Sequence, residues 1–301
     1  MRWRKEGLLI PPPTGLPWAV SHAAVPYADP EADGLDVYFT TRDEHQRSHI
    51  GRATVDLAER QVEMAPEPVL APGPLGAFDD SGAMMSCIVR DGDALYLYYQ
   101  GWSLGVTVPF YVFVGCAIRE SPDASFVRVA SSPVLGRHPV DPYMCSSPWV
   151  IRDGGRWRMW YVSNVGWRRP GWGAPHYVVH IKYAESRDGI EWERDGHVCV
   201  DFSSPQEYAI SRPCVVKDED RYRMWYSYRG SAYRIGYAES DDGLTWNRMD
   251  GTVGIDVSHR GWDSDMVEYA CVFDFGGSRH MLYNGNDYGR AGVGWAVLEA
   301  A

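Results

Sequence analysis

Three acidic residues stand at matching places in a chain that repeats itself. Eight positions before Ile88 and Val215, the centres of two similar strand-like runs, lie Asp80 and Glu207; the same count from Val150 reaches Pro142, directly preceded by Asp141. Carboxyls brought together from distant segments can act as general acid and general base, and cleaving a glycosidic bond needs such a pair. Inverting cleavage holds the two roughly 6.5 to 9.5 Å apart, a span that neighbouring sheet units can bridge. Asp265 and Glu268 offer further carboxyls near the last such run. Each acid also has a plainer reading: Asp80 before Ser81-Gly82 and Asp141 before Pro142 suit turns, and Glu207 suits a solvated loop.

Other side chains could meet a ligand. Arg212 at the mouth of a strand would either clamp substrate or bridge carboxylates, because a buried arginine needs partners. His22 in "VSHAAV" could orient substrate or hold phosphate, or simply be a core residue; Arg42 and Asp43 follow in "TTRDEHQRS". The loops "QGWSLGVTVPFY" and "NVGWRRPGWGAPHY" set Trp102, Tyr111, Trp167 and Trp172 among glycines and prolines. Aromatic faces stack on the C–H faces of sugar rings, and loops on a rigid scaffold usually carry recognition. Asn286 in "NGNDYG" adds an amide suited to hydroxyls.

These residues depend on a repeat for their placement. "IKYAESRDGIEWER" (Ile181 to Arg194) returns as "IGYAESDDGLTWNR" (Ile235 to Arg248), and "SPWVIRDGGRWRMWYVS" (Ser147 to Ser163) returns as "RPCVVKDEDRYRMWYSY" (Arg212 to Tyr228). The first copy is longer by 11 residues, within "NVGWRRPGWGAPHY". Two further units contain "SCIVRDGDALYLYYQGW" and "YACVFDFGGSRHMLYNGN", and a less regular one opens the chain with "WAVSHAAVPYA". Each reads strand, turn, strand, loop, strand, and repeats of this length are the mark of propeller blades. The spacing predicts an all-β, single-domain, five-bladed β-propeller over residues 1–301. Its antiparallel four-stranded blades, around a central funnel, fall near 18–60, 78–132, 141–200, 206–250 and 264–299. The chain's two ends are expected to share a sheet. In the repeated stretch, Asp-Gly supplies a tight turn and the following tryptophan packs between blades.

Composition narrows the partners. A formal charge of −11 argues against nucleic acid and anionic membranes, leaving small polar molecules. Six cysteines without CxxC spacing read as buried free thiols, and the N-terminus has no signal or spanning segment, so the expected location is cytoplasmic. No phosphate loop, HExxH, nucleophile elbow or metal-ligand spacing is present, so neither cofactor nor metal is expected. Nothing in the sequence bears on oligomeric state.

The five units, the "AES-x-DG-x-x-W" and "RMWY" signatures and the closing "MLYNGNDYGRAGVGWAV" resemble the five-bladed propellers of glycoside hydrolase families 32, 43 and 130. The first unit departs from families 32 and 43 in carrying His22 where they place an early aspartate. The resemblance implies three acids in the order Asp, Asp, Glu, and hence Asp80 as base, Asp141 as pKa-tuning and sugar-orienting residue, and Glu207 as general acid. It implies an inverting glycosidase acting on a small soluble saccharide or glycoconjugate. The alternatives are a phosphorylase holding inorganic phosphate through His22, Arg42 or Arg212, and a sugar-binding protein without hydrolysis.

Overall fold

The computed structural model describes residues 1–30, 34–169, 171 and 173–299. The fold starts with β1 (Trp3–Ile10) and then runs through five successive antiparallel meanders. The first comprises β2 (Ser21–Asp29), β3 (Leu35–Arg42), β4 (Ser48–Asp56) and β5 (Gln61–Met64); the second β6 (Gly82–Asp91), β7 (Ala94–Leu104), β8 (Phe110–Arg119) and β9 (Val127–Arg128). The third contains β10 (Cys145–Asp153), β11 (Arg156–Arg168) and β12 (His176–Ser186), with short strands β13 (Trp192–Glu193) and β14 (Val198–Val200) both pairing with β12. The fourth comprises β15 (Ala209–Lys217), β16 (Tyr222–Arg229), β17 (Tyr233–Ser240) and β18 (Asn247–Arg248). The last contains β19 (Glu268–Phe275), β20 (Ser278–Asn284) and β21 (Val293–Leu298), and β1 completes its sheet by pairing antiparallel with β21. Both ends of the chain therefore share one sheet. Among the described residues the only helical turns are two short 3-10 segments.

The first strands of the meanders, β2, β6, β10, β15 and β19, neighbour one another in that order, and β19 in turn neighbours β2. Hydrogen bonds join each neighbouring pair at one equivalent level. The Tyr27 hydroxyl donates to the Ile88 carbonyl, Val150 N–H to Cys87 Sγ, and Trp149 Nε1 to the Val215 carbonyl. Val272 N–H then donates to Cys214 Sγ, and Ala28 N–H to Cys271 Sγ. Three buried thiols thus do structural work here, and all six cysteines are free and buried.

The repeated fourteen-residue stretch is a joint between meanders. Asp188 caps its turn by accepting from the backbone N–H groups of Ile190 and Glu191, and Asp242 does the same for Leu244 and Thr245. Gly189 and Gly243 follow at φ +79° and +75°, a region that favours glycine. Their carbonyls accept hydrogen bonds from the preceding meander, from the Tyr98 hydroxyl at 2.6 Å and Trp160 Nε1 at 2.8 Å. Trp192 and Trp246 pack edge-on against those same rings, so the tryptophan expected between units is there.

Candidate functional site

Every first strand is irregular at the same place. A register shift interrupts pairing in β2, β6, β10, β15 and β19, and at four of these bulges a non-glycine residue adopts positive φ: Val25, Ser147, Arg212 and Tyr269, at 51°, 44°, 52° and 57°. Such backbone costs about 1–3 kcal/mol per residue and clusters at functional sites, where bulges re-aim side chains. All four line one cavity of about 140 Å³, with Ser146, Ser211, Gln100, Tyr177 and Tyr233. Hydroxyls and an amide dominate its polar wall. The Ser211 hydroxyl is buried and has no hydrogen-bond partner among the described residues, and Gln100 holds Ser147 through a 3.0 Å hydrogen bond.

Glu268, the first residue of β19, lies beside this wall. It is 0% exposed, and among the described residues its carboxyl has no ion pair and only the Tyr269 hydroxyl as a hydrogen-bonding neighbour. Burial drives its pKa well above the usual carboxylate range, while Tyr269 and Arg229 oppose the shift. Its field reaches Tyr177, Tyr233, Tyr269 and Tyr288, and the first two of these are joined hydroxyl to hydroxyl at 3.2 Å. A carboxyl whose pKa burial raises holds its proton more tightly than a solvated one and is suited to act as a proton donor.

A second group gathers around His22. Burial and then Arg42 and Arg290 lower its pKa to about 4, with Asp287 opposing, so the ring is uncharged at neutral pH. Arg42 is half-buried and its guanidinium has no hydrogen bond or ion pair among the described residues. Burial lowers the Arg42 pKa, Tyr269 opposes this, and Arg290 adds to it.

Each acid of the expected trio is held in its own local network. Asp80 accepts from Gly76 N–H and the Ser81 hydroxyl in a turn. Asp141 is fully buried, holding the Tyr161 and Ser163 hydroxyls at 2.9 and 2.6 Å and ion-paired with Lys182 and Arg194. Glu207 is gripped by Ser203 and Arg248; burial pushes its pKa up, but these partners outweigh burial and leave it below the usual range. A carboxylate so held is a poor general acid. None of the three lines the cavity; Glu268 does not line it either, but adjoins Tyr269, which does.

Other expectations also change. Asp43 locks the β3–β4 turn by accepting from His45 and Arg47 N–H and pairing with Arg47 and His49. Asn286 uses its amide to tie its loop to the segment before β19, accepting from Asp265 and Met266 N–H and donating to Gly261 O. Asp265 is exposed. Arg212 bridges no carboxylate among the described residues; its guanidinium donates to the Ser86 hydroxyl and the Pro26 carbonyl, tying β15 to β6 and β2. Trp102 donates to the Ser48 hydroxyl and packs with Trp167 into the apolar cluster around the cavity. Trp167 also meets Phe110 and Tyr177, which line it. Trp172 lies outside the described residues.

Sequence reasoning missed Tyr177, Tyr233, Tyr269 and Arg290. Counting back three positions from Val150, Val215 and Val272, instead of eight, arrives at Ser147, Arg212 and Tyr269. Among the described residues no group of three or more His, Cys, Asp or Glu could hold a metal ion.

No family model matches the chain. Uncharacterized protein MT1551 of Mycobacterium tuberculosis (strain CDC 1551 / Oshkosh) is 49% identical over 302 residues, covering 99% of this chain and 100% of that protein. The protein belongs to its family. Uncharacterized protein Rv1502, from strain H37Rv, is 48% identical over the same shares. Solved structures similar to this family member include a glycoside hydrolase with TM-score 0.76, 17% identity and coverage of 99% of this chain and 92% of that one. A thermostable family-43 glycoside hydrolase has TM-score 0.71, 16% identity and coverage of 96% and 93%. The β-1,2-mannobiose phosphorylase from Listeria innocua, in complex with β-1,2-mannobiose, has TM-score 0.72, 12% identity and coverage of 99% and 96%. The protein has the β-propeller fold of glycoside hydrolases and of this phosphorylase.

Proposed function

We propose that the protein cleaves a glycosidic bond of a small saccharide or glycoconjugate, with Glu268 as proton donor. We further infer that the five meanders are the blades of a closed five-bladed propeller and that the cavity is its funnel. The reading rests on Glu268: a buried carboxyl with no ion pair among the described residues, its pKa raised by burial, next in the chain to Tyr269 of a hydroxyl-rich hollow ringed by strained bulges. In the step proposed, the Glu268 proton passes to the bridging oxygen, the bond from the anomeric carbon to that oxygen breaks, and the electron pair leaves with the oxygen. An oxygen of water or of phosphate forms the new bond to the anomeric carbon, and the proton that this nucleophile sheds passes through solvent to restore the Glu268 acid.

One observation favours phosphate as the acceptor. Arg42 and Arg290 lie close enough to His22 to depress its pKa, and no carboxylate is among the described residues lining the cavity. An anion seated by arginines would replace the second carboxyl that hydrolysis requires.

A panel of aryl glycosides and disaccharides, assayed with and without phosphate, tests both readings. Glu268→Gln is expected to lower kcat at least about 100-fold with folding intact, as loss of a general acid does. Asp80→Asn should stay near wild type. Turnover by Glu268→Gln at the wild-type rate would remove the proposed donor, and turnover only with phosphate would select phosphorolysis.

A further inference from the structure

Positive charge is paired differently at the two ends of the strands. At the turns joining first to second strands, arginines meet carboxylates: Arg90 with Asp29, Arg152 with Asp91, Arg158 with Asp153, and Arg279 with Asp218 and Asp274. At the opposite end, where first strands begin and second strands finish, Arg47 pairs with Asp43, but Arg168, Arg169 and Arg229 have no ion pair among the described residues, although the protein's formal charge is −11. Arg229 faces the rings of Tyr208, Tyr233 and Tyr288 at 5.3 to 5.6 Å, and its buried Nε is unpartnered.

Two of these arginines belong to a pocket of about 460 Å³ walled by Arg168, Arg169, His176, Tyr177 and Tyr208. That volume lies in the range of small-molecule sites. Tyr177 also lines the central cavity, so the two hollows share a wall. The pocket stands on the extended β11–β12 hairpin, where Arg168 pairs with His176; the equivalent β16–β17 hairpin closes earlier, at Arg229 and Tyr233. The added length is therefore the 11-residue difference between the two sequence copies.

We infer that this pocket is a subsite for an acidic saccharide unit, a sugar ring carrying a carboxylate or a phosphate ester. The inference rests on reading the adjoining cavity as the site of glycosidic cleavage. Tyr208 and His176, with ring centroids 6.2 Å apart and planes at 57°, offer faces to the C–H side of a ring. Two adjacent guanidinium groups offer forked donors that match carboxylate and phosphate oxygens. A neutral sugar would leave those donors without an anionic partner.

Calorimetric titration of the full chain with D-glucuronate, glucose 6-phosphate, glucose and inorganic phosphate tests this. An acidic sugar should bind with a dissociation constant on the order of 1 mM, weaken with added salt, and bind at least about tenfold more tightly than glucose. The double variant Arg168→Gln/Arg169→Gln alters exposed side chains, so its melting temperature should be unchanged while acidic-sugar binding falls at least about tenfold. Equal binding of glucose and the acidic sugars, or unchanged binding by the double variant, would overturn the inference. Inorganic phosphate binding as tightly as glucose 6-phosphate would also overturn it, identifying a site for a free anion. Glu268→Gln should bind the acidic sugars as wild type does, so failure of the catalytic reading stays separate from failure of this one.

Discussion

Glu268 ties the proposed chemistry to a measurable property of the fold. Its pKa is raised in the folded state, so above the ordinary glutamate value of about 4.3 the unfolded chain has released a proton that the folded chain still holds. Stability must therefore fall as pH rises from about 4.3 toward the folded-state value. Glu268→Gln removes this term while keeping the shape of the side chain. At pH 7 the variant should melt at or above the wild-type temperature, and its advantage should shrink toward pH 4, as read by calorimetry across that range. A variant less stable at pH 7 than at pH 4, relative to wild type, would mean that Glu268 is an ionised and paired carboxylate. In sequence Glu268 is one acid among many near the last first strand. Its raised pKa comes from burial among side chains such as Tyr177 and Tyr233, which lie far from it in the chain.

At the scale of elements, one arrangement recurs in four meanders: a second-strand tyrosine donates to a carboxylate that also meets a cation. Tyr99 joins Asp79 and Arg128, and Tyr161 joins Asp141 with Lys182 and Arg194. Tyr226 joins Asp250 and Arg248, with Glu207 on the same arginine, and Tyr283 joins Asp263 and Lys5. These brackets explain why two of the expected catalytic acids serve structure. Asp141→Ala would strand two largely buried cations, a change that typically costs about 3–5 kcal/mol. Asp80→Asn, in its turn, should change stability by no more than about 0.5 kcal/mol. Urea unfolding compares them, and an Asp141→Ala protein as stable as wild type would contradict the bracket. The tyrosine was legible through the repeated "RMWY", and in three meanders its acid stands 20 positions earlier, at Asp79, Asp141 and Asp263; Asp250 follows its tyrosine instead, so that count fails in the fourth.

For the whole molecule, the sequence made the five units and the meeting of the chain's ends readable, because periodic runs and turn residues follow from strand geometry. The bonds between first strands were hidden, since Tyr27, Cys87, Trp149, Cys214 and Cys271 occupy one equivalent level with unlike chemistry. The closing sheet depends on β1, which carries three separate ties. It pairs with β21, sets Trp3 edge-on against Trp225 of the previous meander, and brings Lys5 to 2.7 Å from buried Asp263. Removing residues 1–12 would expose the β21 edge to other molecules, strip a tryptophan contact and leave the Asp263 carboxylate without its cation. The truncated protein should lose its single cooperative melting transition and elute in larger assemblies that grow with concentration. A monomeric truncation with the wild-type melting temperature would show that the ring of first strands holds the molecule without its terminal strand.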